Sequence, residues 1–210
     1  MSDPIELYGA QTGNSLRAAV ALSEAGIPYR AVCIDLRAGA HRQPPFLDLN
    51  PAGKVPTLVD RSVSPTLIIN QSNAIMQYAD AKAPGRLAPQ ASGPERFRVF
   101  DRYFHFVTDV IAVSHAGFFL RQQGLRDMAR PLDQRAVELL IAAERFLEDD
   151  YMAGSQFSMA DISAFTYAAS VHERLPWDTL PRLAQWFERI AERPAVQAGM
   201  LAFSQEDEQA

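Results

Sequence analysis

Four short segments carry residue types that could do chemistry. The first is Gly9-Ala10-Gln11-Thr12-Gly13-Asn14-Ser15, where Thr12, Asn14 and Ser15 can each donate a hydrogen bond. A helix starting there would turn its free N–H groups and its dipole toward an anion. Asn14 or Ser15 would serve equally as an ordinary helix cap. The second segment is Asn50-Pro51-Ala52-Gly53-Lys54-Val55-Pro56-Thr57-Leu58. A cis Val55–Pro56 bond would turn the Val55 backbone outward as an edge for ligand pairing. Spacing alone reads Pro56 as an ordinary proline at a strand start. The third is Asn70-Gln71-Ser72-Asn73-Ala74-Ile75. Ser72 is an N-cap by type, and its hydroxyl with the first-turn N–H groups makes a ready carboxylate site, with Gln71 beside it. A plain cap fits these residues too. The fourth is Phe157-Ser158-Met159-Ala160-Asp161-Ile162, with the Ser-x-x-acid spacing of a capping box and Phe157 and Ile162 as its hydrophobic staple. That segment reads as structural, a helix start.

The elements that must position these residues change character after the first third of the chain. Residues 5–8 alternate apolar and polar and predict a strand. Leu16, Ala19, Val20 and Leu22 lie at helical spacing and predict a helix over 15–25, with Gly26 as its C-cap. Residues 29–35 predict a second strand, which completes a right-handed parallel βαβ unit. Residues 44–49 suit a short helix or turn. Residues 57–60 and 67–70 predict two strands of a hairpin, and a helix follows over 72–82. Pro84, Gly85, Pro89 and Gly93 mark 84–93 as a linker. Beyond it nothing reads as a strand. Helices are expected over 94–122, broken by Gly124, then over 131–150, 159–174 and 181–193, with an acidic tail from 204 to 210. The fold class is therefore α/β followed by all-α, with domains 1–83 and 94–210.

Of the 210 residues, 48% are hydrophobic and 21% charged, a balance that excludes a disordered chain. The formal net charge of −5 argues against a nucleic-acid footprint. Ala18 to Leu22 is the most apolar run and is too short to cross a bilayer, and no signal-peptide pattern opens the chain. No membrane association is expected. The single cysteine, Cys33, excludes an internal disulfide and a Cys-rich zinc module, so a reducing, cytoplasmic setting without metal is expected. Cys33 reads as buried packing. Tyr103, Phe104, Phe118 and Phe119 read as core, and His105 and His115 as packed or surface residues.

Taken in order, Leu7-Tyr8 before a polar loop, Asn50-Pro51 through Gly53-Lys54-Val55-Pro56-Thr57-Leu58, Gln71-Ser72-Asn73-Ala74-Ile75 and Phe157-Ser158-Met159-Ala160-Asp161 resemble the cytosolic glutathione transferase superfamily. The likeness runs from Ile5 to about Leu201, ending with Trp186 and Arg193-Pro194-Ala195-Val196. The loop Ala10-Gln11-Thr12-Gly13-Asn14 looks like that of the bacterial Nu class, whose members reduce disulfides with glutathione. His41 stands where that class usually has a glutamine, and Gln71 where a glutamate is common.

The resemblance implies a thioredoxin-like domain followed by a helical domain that lines a second-substrate pocket. It also implies a cis Pro56, glutathione as co-substrate and a homodimer. Thr12, Asn14 and, as runner-up, Ser15 would stabilise the glutathione thiolate. Ser72 and Gln71 would hold the γ-glutamyl carboxylate and Val55 would pair with the cysteinyl backbone. Lys54 and His41 would meet the glycine carboxylate. The second substrate would be a disulfide, a peroxide or a small electrophile. The rival implication is a binding module on the same fold that has lost catalysis and acts in a protein assembly.

Overall fold

The computed structural model describes residues 5–204. The acidic tail expected beyond Ser204 and the start of the chain at Met1 lie outside the described residues. Contacts divide the chain into two units. One takes the described part of Met1–Leu87 together with that of Arg193–Ala210, and the other is Ala88–Glu192.

The first unit is built on a four-stranded sheet in the order β2-β1-β3-β4. Strand β1 (Ile5–Gly9) pairs in parallel with β2 (Arg30–Cys33) and antiparallel with β3 (Thr57–Asp60), which pairs antiparallel with β4 (Leu67–Ile69). Leu7, Leu58 and Val59 are fully buried, as central strands covered by helices require. Helix α1 (Gly13–Glu24) crosses between β1 and β2 and buries Ala18, Val20 and Leu22. It ends in a Schellman motif. Gly26, at φ 69°, donates its N–H to Ser23 O at 3.0 Å, and Ile27 donates to Leu22 O at 3.0 Å. The short helix α2 (Pro44–Leu47) precedes β3, and α3 (Ser72–Lys82) follows β4 with Ile75, Met76 and Ala79 inward. The Val55–Pro56 bond is cis, as the resemblance implies and spacing does not, and Ser64–Pro65 is a second cis bond in the hairpin loop.

The contacts draw the boundaries differently from the expected 1–83 and 94–210 in two respects. Helix α9 (Pro194–Leu201) packs on α1 and belongs to the first unit. Gly199 makes this possible, because a Cβ there would lie 2.5 Å from Val20 Cα. Arg193 clamps Glu24 through Nε and Nη2, each at 2.7 Å. The other boundary moves too, since Leu87 closes the first unit inside the expected linker.

The second unit is helical. Its longest helix runs through Pro94–Gln122, as α4 (Pro94–Phe104), a wider π-helical stretch over His105–Ile111, and α5 (Ala112–Gln122). Length and composition would let this helix cross a membrane, its best window averaging a mean hydropathy of 1.3. Within the fold it buries Tyr103, Phe106 and Val110. Phe104, Phe118 and Phe119 are exposed, which corrects their reading as core. The helix carries more apolar residues than one inward stripe accommodates.

Helix α6 (Arg126–Ala142) begins five residues before Pro131, where the sequence predicted its start. A second Schellman turn at Gly124, with Leu125 N bonded to Leu120 O at 2.9 Å, launches α6 at once. Pro131, on its second turn, removes one helical hydrogen bond. The helix tightens to 3₁₀ geometry over Ala143–Phe146, short of Asp150. Helices α7 (Met159–Ser170) and α8 (Pro181–Ala191) complete the unit around Met159, Trp186 and Ile190, all fully buried.

Candidate functional site

Strand register brings the first three segments to one edge of the sheet. Tyr8, near the end of β1, lies opposite Thr57 at the start of β3, and Ile69 at the end of β4 lies opposite Leu58. The loop after β1, the turn before β3 and the start of α3 therefore share that edge. This is the carboxyl end of β1, where open α/β sheets bind ligands.

Thr12 is the N-cap of α1, with φ −125° and ψ 147°. Its Oγ1 accepts from Ser15 N at 3.4 Å and lies 3.0 Å from Ser15 Oγ. Ser15 is fully buried, and its Oγ also accepts from Ala10 N at 3.3 Å. Ser15 is thus enclosed and supports Thr12 from beneath. Asn14 is half-buried and uses Oδ1 to accept from Arg17 Nη1 at 2.8 Å. A Cβ at Gly13 would meet nothing within 4 Å, so the mouth of α1 is open. Tyr8, the nearest phenol along the chain, is turned away and donates to Glu6 Oε2 at 3.0 Å. Burial, with the Glu6 carboxylate beside it, pushes its pKa up.

At the second segment, neither Val55 N–H nor Val55 C=O has a partner among the described residues. Asn50 is buried and braces the turn, donating from Nδ2 to Lys54 O at 2.5 Å and accepting from Ala52 N at 3.1 Å. Lys54 is exposed. His41 comes to the same turn, because a Cβ at Gly53 would lie 3.0 Å from His41 O. Gly53 has φ 58°, which favours glycine there. The buried His41 Nδ1 has no partner among the described residues.

The third segment corrects one detail. Gln71, not Ser72, occupies the N-cap of α3, and no side chain caps the helix. Ser72 is the first helical residue and is 6% exposed, and Gln71 is exposed. No N-cap side chain therefore competes with an external acceptor at this helix start.

Two features escaped the sequence reading. Arg17 is 2% exposed, and its Nη1 donates to both Asn14 Oδ1 and Ser72 Oγ, the latter at 3.3 Å. Its signal was present, since Arg17 is the lone charge between Gly13 and Ser23 in an otherwise apolar helix. The other is the end of α9 and the residues that follow it. Phe203 lies against Gly9 and Gln11 donates to Met200 O at 3.2 Å, which fixes the outer side of the first loop. No local pattern encodes contacts so distant in sequence.

Other candidates fall elsewhere. Cys33 is exposed rather than buried, because β2 is an edge strand; its Sγ is 4.0 Å from Phe203 O. In the helical unit, His105 stands edge-on to Phe106 and Phe146 with Nδ1 3.5 Å from Asp109, and burial lowers its pKa. His115 is exposed. No cluster of three or more metal-ligating side chains occurs among the described residues. The fourth segment is structural as read. Ser158 and Asp161 form a capping box, and Asp161 also accepts from Met152 N and Trp186 Nε1, both at 2.9 Å.

The fold and this edge define a thioredoxin-like domain joined to a helical one. Profiles of the glutathione S-transferase N-terminal and C-terminal domains match residues 13–82 and 110–194. The chain belongs to the glutathione S-transferase family. It is similar to glutathione S-transferase 3 of Zea mays, 30% identical over 95% of this chain and 94% of the relative. It is also similar to the disulfide-bond oxidoreductase YfcG of Escherichia coli K12, 26% identical over 97% of this chain and 98% of the relative. A glutathione transferase family member of Pseudomonas fluorescens, solved with two glutathione molecules bound, superposes with a TM-score of 0.81 at 22% identity, over 94% of this chain and 92% of that one.

Proposed function

We propose that this chain is a glutathione-dependent enzyme that holds the tripeptide along the sheet edge and uses its thiolate on disulfides, peroxides or small electrophiles. The observation that carries the reading is the shared edge itself: an open helix mouth at Thr12 and Asn14, an unpartnered Val55 backbone beside cis Pro56, and an uncapped α3 at Ser72. These match, in order, the needs of a thiolate, a peptide backbone and a carboxylate.

A free thiol of this type has pKa about 8.5, so only a few per cent is ionised at neutral pH. Hydrogen bonds to the anion are worth about 1.5–3 kcal/mol, or roughly one to two pKa units, enough to make thiolate the main form. Ser15 donates to Thr12 Oγ1 in this reading, which frees the Thr12 hydrogen for the sulfur. Asn14 Nδ2 and the backbone N–H groups of Gly13 and Asn14 add further donors. Ser72, the first-turn N–H groups of α3 and Gln71 take the γ-glutamyl carboxylate. Val55 pairs with the cysteinyl backbone, and Lys54 and His41 meet the glycine carboxylate. No metal enters the scheme. On a disulfide, the thiolate attacks one sulfur and releases the other as a thiolate, and a second glutathione resolves the mixed disulfide. The similarity to YfcG supports the disulfide branch.

The reading includes a homodimer in the cytoplasm, with no nucleic-acid or membrane partner. Phe97, Phe104, Phe118 and Phe119 are each more than half exposed, apolar area that a second copy would cover. One cysteine in 210 residues suits a reducing compartment.

Retention on immobilised glutathione, followed by turnover of a model disulfide and of an electrophilic aromatic, tests the function. Loss of retention would favour the binding module. Thr12→Ala is expected to raise the pKa of bound thiol by about one unit, read by ultraviolet titration of the thiolate. An unchanged titration would move the role to Asn14 or the backbone.

A further inference from the structure

We propose that Arg17 is a positioning residue that couples the two ends of the tripeptide site, so that the hold on the γ-glutamyl carboxylate and the ionisation of the thiol are not independent. The proposal rests on the glutathione reading above and adds a residue and a coupling to it.

A guanidinium that is 2% exposed has given up its water, and such burial persists only where hydrogen bonds replace the hydration. One nitrogen, Nη1, supplies two of those bonds. It donates to Asn14 Oδ1 at 2.8 Å and to Ser72 Oγ at 3.3 Å, across 55 positions of sequence. Each bond has a consequence for a ligand. With Oδ1 engaged by Arg17, the planar Asn14 amide turns Nδ2, its only donor, away from the guanidinium. The amide therefore cannot flip to present an oxygen to an anionic sulfur. With Ser72 Oγ accepting from Arg17, the Ser72 hydrogen must be donated elsewhere, and a carboxylate at the start of α3 is its natural acceptor.

The charge also acts at range. Arg17 contacts a residue of the first turn of α1 and the first residue of α3, so one buried positive charge stands behind both helix N-termini. A carboxylate that draws on the Ser72 hydroxyl polarises the bond to Nη1. Through the same nitrogen, this reaches the amide that faces the sulfur.

Arginine is specific to the role. Its planar fork addresses two acceptors at once, whereas a lysine ammonium is a compact, strongly hydrated charge on a flexible stem. The prediction separates charge from geometry. Arg17→Met is expected to raise the pKa of the bound glutathione thiol by about one unit and to weaken glutathione binding about tenfold. Arg17→Lys, which retains the charge, is expected to recover part of the affinity and little of the thiol pKa.

The decisive measurement is the coupling. In the wild type, Ser72→Ala is expected to shift the pKa of the bound thiol by several tenths of a unit, although Ser72 serves the far end of the ligand. In the Arg17→Met or Arg17→Lys background the same change is expected to leave the thiol pKa where it was. A role confined to packing would lower thermal stability without producing this pattern. Folded Arg17 variants with wild-type thiol pKa and affinity would overturn the proposal. So would a Ser72→Ala effect on the thiol that is absent in the wild type or identical in all backgrounds. If Arg17→Met does not fold, Arg17→Lys carries the comparison. Failure of the wild type to bind glutathione at all would instead remove the functional reading on which the proposal stands.

Discussion

Two helices in this protein begin at a serine, and they begin differently. At α7, Ser158 is the N-cap, its Oγ accepts from Ala160 N at 3.3 Å, and Asp161 answers by accepting from Ser158 N at 2.9 Å. Asp161 also takes Met152 N and the Trp186 indole, and both Ser158 and Asp161 are buried. The side-chain oxygens of Ser158 and Asp161 are all engaged within the protein. At α3, Gln71 occupies the cap position without capping, and Ser72 sits one residue inside the helix. No N-cap side chain bonds back to its first turn. The same residue type at the same kind of boundary thus closes one helix and leaves the other open to a ligand. The presence of a cap residue is therefore less informative than whether its partner, an acid three positions on, is also there. Asp161 is that partner at α7; at α3, the residue three after Ser72 is Ile75.

The largest test of this contrast is at the closed helix. Asp161→Ala is expected to cost about 3 kcal/mol or more of stability in urea unfolding, because it strands several buried donors at about 1–3 kcal/mol each. A loss below 1 kcal/mol would break the claim that this N-terminus is saturated.

A second carboxylate sharpens the comparison through pH. Asp60, at the end of β3, is fully buried; burial alone would raise its pKa, but hydrogen bonds from Ser62 and Tyr78 and the Lys82 charge hold it down at about 2. Asp161, by contrast, is pushed up by its burial, against the hydrogen bonds it accepts. A depressed carboxylate contributes stability that is present above its unfolded pKa of 3.8 and lost as pH falls through about 2. Stability is therefore expected to drop between pH 4 and 2 by roughly 2 kcal/mol on account of Asp60. Asp60→Asn should flatten that decline, and an unchanged acid profile would refute the assignment.

The smallest effects separate the serines themselves. Ser158→Ala is expected to cost about 1 kcal/mol of stability and leave glutathione affinity intact. Ser72→Ala should cost about 1 kcal/mol of stability, through the lost acceptor for the buried Arg17, and weaken glutathione about tenfold, the loss of one hydrogen bond to a charged group. Calorimetry and unfolding on the same samples check both expectations.

Much of the fold was legible. Alternation placed β1, and turn residues bounded β3 and β4, because period and punctuation are local properties. The helix over 72–82 and the capping box at Ser158 and Asp161 were likewise readable as local patterns. The site was legible as segments and not as an arrangement. Thr12, Asn14 and Ser15 are equal candidates by type, and only burial singles out Ser15 as enclosed. Phe104, Phe118 and Phe119 look like core until the helix is seen to have more apolar residues than inward positions. Cys33 looks buried until β2 is seen to be an edge.

By itself, the amino-acid sequence determined the class of fold, the order of its elements and the segments that carry chemistry. Those depend on periodicity, caps and turns, which act over a few residues. Tertiary structure alone decided the place of α9 on α1 and the hydrogen bonds from Arg17 to Asn14 and Ser72. Each of these depends on burial and on partners from distant parts of the chain, and neither quantity is written into the neighbouring residues.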